Sequence, residues 1–181
     1  GGGSSLLTLP QSGISIEDMR KTTEALLRSG APIEEMNIVR KHLSAIQGGN
    51  LARLAIARGA RVEALLISDV TGDAPADIAS GPCAPDYSSY QDALDVLAKH
   101  RLGSDSIPPS VLSHLQRGVA GEVPETLKES DLQNTAVSNH VIATAYKSLE
   151  AAAAYIRTLP LQLSLRHQSA RFKQVERVSD D

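Results

Sequence analysis

Three aspartates stand close together near the middle of the chain, Asp69, Asp73 and Asp77, interleaved with Gly72, Pro75, Gly81 and Pro82. Just before them Val62 to Ile67 forms an apolar run broken only by Glu63, which reads as a mostly buried strand of the parallel kind. Carboxylates and turn-formers at the carboxyl end of such a strand make a site pattern, because open α/β sheets bind ligands there. One or two carboxylates with waters and a ligand's phosphates suffice to hold Mg2+, so Asp69 and Asp73 are candidate metal ligands. A carboxylate here can instead take a proton as general base, or do no more than satisfy loop N–H groups. Asp69 stands nearest the strand end and ranks above Asp77. Ser80-Gly81-Pro82 shapes either a loop facing substrate or a plain turn.

Positive charge and bare backbone are the other chemical resources. Lys41 lies between Arg40 and His42 on a helix with an apolar face, where its ammonium can neutralise a phosphate or a carboxylate, or simply face solvent. The opening Gly1-Gly2-Gly3-Ser4-Ser5 is either a nest of N–H groups for an anion or a flexible linker. Cys83 has no visible activating partner and reads as a small packed side chain. The five histidines are scattered without metal-ligand spacing, which argues against zinc. Asn139 opens the core of a second candidate strand, where it reaches the site or ends a loop.

The elements that must position these groups follow from periodicity and caps. Ser15 with Asp18 approximates a capping box and Gly30 supplies a left-handed stop, framing a first long helix. A second opens at Pro32 with Glu34 and Glu35 in its first turn, carries Met36, Val39, Leu43 and Ile46 on one face, and is expected to run to Gly48-Gly49. A short third helix spans about 51–58. Beyond Pro82, Ser88 with Gln91 matches a capping box for a helix over 90–100, and Pro108-Pro109 starts another that ends at Gly118. The stretch 119–134 reads as polar loop, 136–143 as a second strand and 146–157 as an Ala-rich helix. Leu161 to Leu165 alternates like a third strand, and the rest of 160–181 is a charged, aperiodic tail.

Composition excludes several classes. With a net charge of −3, one Phe and no Trp, the 181-residue chain has neither a basic face nor an aromatic platform for nucleic acid. No apolar run approaches the roughly 20 residues that cross a bilayer and no leader opens the chain, so a cytoplasmic location and no membrane partner are expected. A single cysteine fits a reducing compartment and excludes an internal disulfide. Small-molecule chemistry remains.

Six blocks occur in a recognisable order: Gly1 to Leu7, Ser29 to Ile33, Asn37 to Ser44, Gly48-Gly49, Ile67 to Asp73, and Ile78 to Pro82. Over roughly Gly1 to Leu159 the chain resembles the type II glycerate 2-kinase family, whose relatives are often labelled hydroxypyruvate reductase. The resemblance implies an α/β fold, an incomplete Rossmann-like αβα sandwich with mostly parallel strands, as part of an N-terminal domain over 1–159. Residues 160–181 form a divergent tail. The C-terminal domain called MOFRL is expected to supply the other wall of the site and to be missing from this chain.

The resemblance further implies transfer of the ATP γ-phosphoryl group to the 2-hydroxyl of D-glycerate, with Mg2+. With it, Lys41 and Asp69 are expected to be catalytic, and Gly1, Gly2, Gly3, Ser4 and Arg40 to bind ATP. Ser80, Gly81 and Pro82 are expected to face substrate, and Asp69 and Asp73 to hold the metal. The chain alone is expected to be inactive. Cys83, where relatives usually carry Thr, and Ala145, where a polar residue such as Asn is expected, depart from the family pattern. A hydroxypyruvate reductase is the rival enzyme, although no G-x-G-x-x-G follows a strand. A ligand-binding remnant without catalysis is the rival of another class.

Overall fold

The computed structural model describes residues 3–133 and 136–158. In chain order these form α1 (Gly3–Leu6), α2 (Ile16–Ser29), α3 (Ile33–Leu43), α4 (Asn50–Ile56), β1 (Val62–Ile67), α5 (Tyr90–Lys99), α6 (Pro109–Val119), β2 (Val137–Ala143) and α7 (Ala145–Thr158). Short 3-10 turns cover Ile78–Ser80 and Glu129–Leu132. The expected α/β class and parallel pairing hold: β1 and β2 run parallel, Val62 opposite Val137 and Leu66 opposite Val141, with an irregularity before Ile67. The alternating stretch Leu161 to Leu165 and the tail to Asp181 lie outside the described residues.

The core is helical. α2, α3, α5 and α6 bury Leu26, Val39, Leu43, Ala93, Leu97, Val111 and Leu115 against one another, as apolar faces at helical spacing require. Local chemistry sets the ends of these helices. Ser15 and Asp18 close a reciprocal capping box at α2, and Gly30, at φ 77°, ends it. At α5 the box is Ser89 with Asp92, one register later than the expected Ser88 with Gln91, because Ser88 instead donates from its hydroxyl and its N–H to Asp86. α3 stops at Leu43, short of Gly48. Ser44 leaves the helix with extended backbone, bridges Pro10, and turns its hydroxyl oxygen to accept from the N–H groups of Ile46 and Gln47.

β1 departs from expectation in burial. Its residues alternate between half-buried and exposed, with Leu65 67 % and Ile67 66 % exposed. The run is apolar enough to be covered on both faces, but among the described residues only one face is covered. Ile142 of β2 is exposed too, while Glu63 and His140 pair across that outer face at 2.8 Å. α7 has no buried residue and exposes Tyr146 and Leu149. No helix of the described residues is long and apolar enough to cross a membrane.

Candidate functional site

Where β1 ends, Ser68 is buried, donates its N–H to the Ala143 carbonyl at 2.8 Å and joins its hydroxyl to Val70 at 3.3 Å. This clasp leaves the next residue, Asp69, exposed at the strand's carboxyl end. The chain then reverses through Gly72 and Asp73, both at positive φ, and reaches Asp77. Ala79, Ser80 and Gly81 follow with φ of 53°, 59° and 61°. Two non-glycine residues in the left-handed region cost about 1–3 kcal/mol each unless their surroundings over-determine them. Here they do: Gly48 N–H donates to the Ser80 carbonyl at 3.0 Å, Gly49 N–H to that of Gly81 at 2.7 Å, and Ala52 N–H to that of Pro82 at 3.3 Å. A side chain at Gly49 would meet the Ala84 carbonyl oxygen at 2.8 Å, so only glycine lets the two segments lie this close.

The same turn supports α1. The hydroxyls of Ser80 and Ser4 lie 3.0 Å apart, and Ser80 Oγ donates to Asn37 Oδ1 at 3.4 Å. The Ser4 carbonyl accepts from Arg40 Nη2 at 2.8 Å and Gln47 Nε2 at 2.9 Å. The result is a cleft of about 240 Å3 lined by Ser4, Asn37, Arg40, Asp69 and Asp77, with Gly3 and Ala79. Burial pulls the Arg40 guanidinium below its ordinary pKa, and no carboxylate of the described residues forms an ion pair with it. A desolvated fork of donors facing a cleft suits a bound carboxylate or phosphate.

Lys41 is not in this cleft. Successive helix residues lie about 100° apart, so Arg40 and Lys41 leave α3 in different directions. Lys41 is buried and pairs with Asp86 Oδ1 at 3.4 Å at the edge of a second hollow of about 730 Å3. Asp73 lines neither hollow, whereas Asp77 lines both. Burial alone would raise the Asp86 carboxyl, but Lys41 and the two Ser88 donors bring it below its ordinary value. Beside it His42 Nδ1 lies 2.8 Å from the Ile38 carbonyl oxygen and Nε2 2.9 Å from Glu125 Oε1, both within hydrogen-bond distance. Burial raises Glu125 as well, yet His42 and the N–H groups of Thr126 and Tyr90 hold its pKa down to about 2.

Gly3 and Ser4 thus line the cleft with Arg40 and Asp69, while Gly1 and Gly2 lie outside the described residues. Ser80 and Gly81 are buried beneath it, Pro82 is half-buried, and neither Gly81 nor Pro82 lines it. No group of three or more His, Cys, Asp or Glu side chains among the described residues is placed to hold a metal. The carboxylates that share the cleft are Asp69 and Asp77.

A family model described as a domain of unknown function, DUF4147, matches residues 1–116. The chain belongs to the DUF4147 family. A Pyrococcus horikoshii protein named glycerate 2-kinase is 46 % identical over 171 residues, which cover 90 % of this chain and 37 % of that protein. An Agrobacterium vitis protein named putative hydroxypyruvate reductase is 43 % identical over 85 % of this chain and 37 % of its own. The crystal structure of a Thermotoga maritima glycerate kinase superposes with a TM-score of 0.70 at 41 % identity, covering 87 % of this chain and 34 % of that one. The chain spans about a third of the length of the curated relatives it matches.

The matched part of this DUF4147 chain contains every described residue that lines the cleft. Two of these, Asn37 and Asp77, were missed or ranked low by sequence. Asn37 is three residues before Arg40, a spacing that puts both on one helix face and could have found it. Asp86 and Glu125 carried no local signal: their partners Lys41 and His42 are 45 and 83 residues away in the chain.

Proposed function

We propose that this chain is the part of a glycerate 2-kinase that seats the three-carbon acid, in an enzyme that transfers the ATP γ-phosphoryl group to the 2-hydroxyl of D-glycerate. The observation that carries this reading is the cleft at the end of β1, which a half-buried Arg40, without an ion-pair partner among the described residues, lines together with Asp69 and Asp77. At about 240 Å3 it falls below the roughly 300–1,000 Å3 of pockets that enclose larger ligands, so it suits a three-carbon acid or a single phosphate better than a nucleotide. Names borne by relatives at 41–46 % identity support the same chemistry.

In this reading Arg40 takes the substrate carboxylate with its free donors, and the Gly3–Ser4 backbone narrows the cleft around the acid. Ser80 acts through its hydrogen bonds to Ser4 and Asn37, and the Gly81–Pro82 segment acts as a rail rather than a contact. Asp69 accepts the hydroxyl proton as the oxygen–phosphorus bond forms and the bond to the ADP oxygen breaks. Mg2+, which would neutralise phosphate charge when bound, fits Asp69 with Asp77 better than Asp69 with Asp73, because the former pair shares the cleft. Lys41 is left to act from the neighbouring hollow. Transfer itself needs residues of the longer protein, and the 181-residue chain is expected to bind without turnover.

Calorimetry with D-glycerate tests the reading. Arg40→Ala is expected to weaken binding about tenfold or more, the scale of a lost charge-assisted pair, and Arg40→Lys to restore only part of it. Binding indifferent to Arg40 would overturn it. NADH oxidation with hydroxypyruvate would favour the rival enzyme instead.

A further inference from the structure

We infer that the hollow beside the cleft is the seat of the nucleoside half of ATP, with the Tyr87 ring as the surface on which the base stacks. The inference rests on the kinase reading for the identity of the nucleotide, and on the hollow alone for its place. At about 730 Å3 the hollow is within the range of pockets that enclose ligands of this size, whereas the cleft is not. Ile38 and Val96 supply apolar wall, and Tyr87 stands at the lip 81 % exposed. A large aromatic ring left that open beside an apolar hollow offers a face that any base can cover.

The floor is polar and incompletely satisfied. Lys41 is buried with three N–H donors, for which the acceptor among the described residues is Asp86 Oδ1, at 3.4 Å. Asp86 Oδ2 is buried without a hydrogen-bond partner among the described residues, with His42 Nε2 4.0 Å away. Spare donors next to a spare acceptor match hydroxyl groups, which give and take at once. They match a ribose better than a phosphate, which only accepts. The hollow is a poor place for phosphates as well, since the carboxylates of its lining outnumber Lys41 and Lys99, whereas the cleft on the far side of Asp77 offers Arg40. The phosphates therefore leave the hollow past Asp77, the wall common to both cavities, and run towards Arg40.

The test uses the purified chain with adenosine, ATP and inorganic tripolyphosphate as separate probes, followed by calorimetry and by amide shifts. Adenosine and ATP are expected to compete, and adenosine to shift Tyr87 and Val96. Tyr87→Ala should weaken adenosine about tenfold, the scale of a lost base–aromatic stack, while Tyr87→Phe keeps it and neither variant changes tripolyphosphate. The side chain is exposed, so the substitution should leave the fold intact. Arg40→Ala should do the reverse, weakening tripolyphosphate and ATP while leaving adenosine unchanged. No adenosine binding, adenosine binding unmoved by Tyr87→Ala, or shifts confined to the cleft would overturn the inference. If adenosine behaves as stated but D-glycerate ignores Arg40→Ala, the proposed substrate fails and the nucleoside seat stands.

Discussion

Glu125 keeps its negative charge in a place that should discourage it, and that has a measurable sign. Its folded pKa, about 2, is below the ordinary 4.5, so protons bind the unfolded chain more readily. The stability it contributes is complete above about 4.5 and is lost as pH falls towards 2. Urea midpoints of the wild type and Glu125→Gln should therefore differ most near neutrality, close progressively below about pH 4.5 and converge only as pH approaches 2; a constant gap would remove Glu125 from the account. The carboxylate joins α3, through His42, to the start of α5, through the Tyr90 N–H. Sequence could see the ingredients of the cleft, Asp69, Arg40 and Ser4, because glycine loops, strand ends and helix cations are local signs. It could not see Asp86 or Glu125, whose significance comes only from groups far along the chain.

Among the elements, the α5–α6 contact leaves no room for a side chain at one position. Gly118 is packed so closely on the Tyr90 ring that any Cβ there would run into it. Gly118→Ala should raise helix propensity by about 1 kcal/mol yet destabilise the protein by roughly 1–3 kcal/mol through overpacking, read as a lower thermal midpoint. A rise would show that the ring moves freely aside. The sequence marked this glycine as the end of α6, whereas it lies inside the helix, and the reason it is glycine lies in the partner. α2 was legible because its cap and stop are encoded within a few residues. The end of α3 was not, since Ser44 is drawn out of the helix by Pro10 and by its own loop.

For the whole molecule, the distribution of apolar surface is uneven: the helices bury theirs, while the outer face of the sheet and α7 show Leu65, Ile67, Ile142 and Leu149 to solvent. Replacing both Leu65 and Ile67 by Lys should lower self-association in light scattering and shift stability by less than about 1 kcal/mol, the scale of exposed positions. A large loss of stability would mean that this face is covered after all. The two hollows also constrain one another. Asp77 is a boundary for both, so its carboxylate cannot answer to a guest on one side without altering what the other side meets. Any resulting change in affinity must be reciprocal: the factor by which an acid in the smaller space alters the hold on a nucleoside in the larger equals the factor in the opposite direction. On the proposed reading, a single charge shared in this way makes the two adjoining seats one thermodynamic unit.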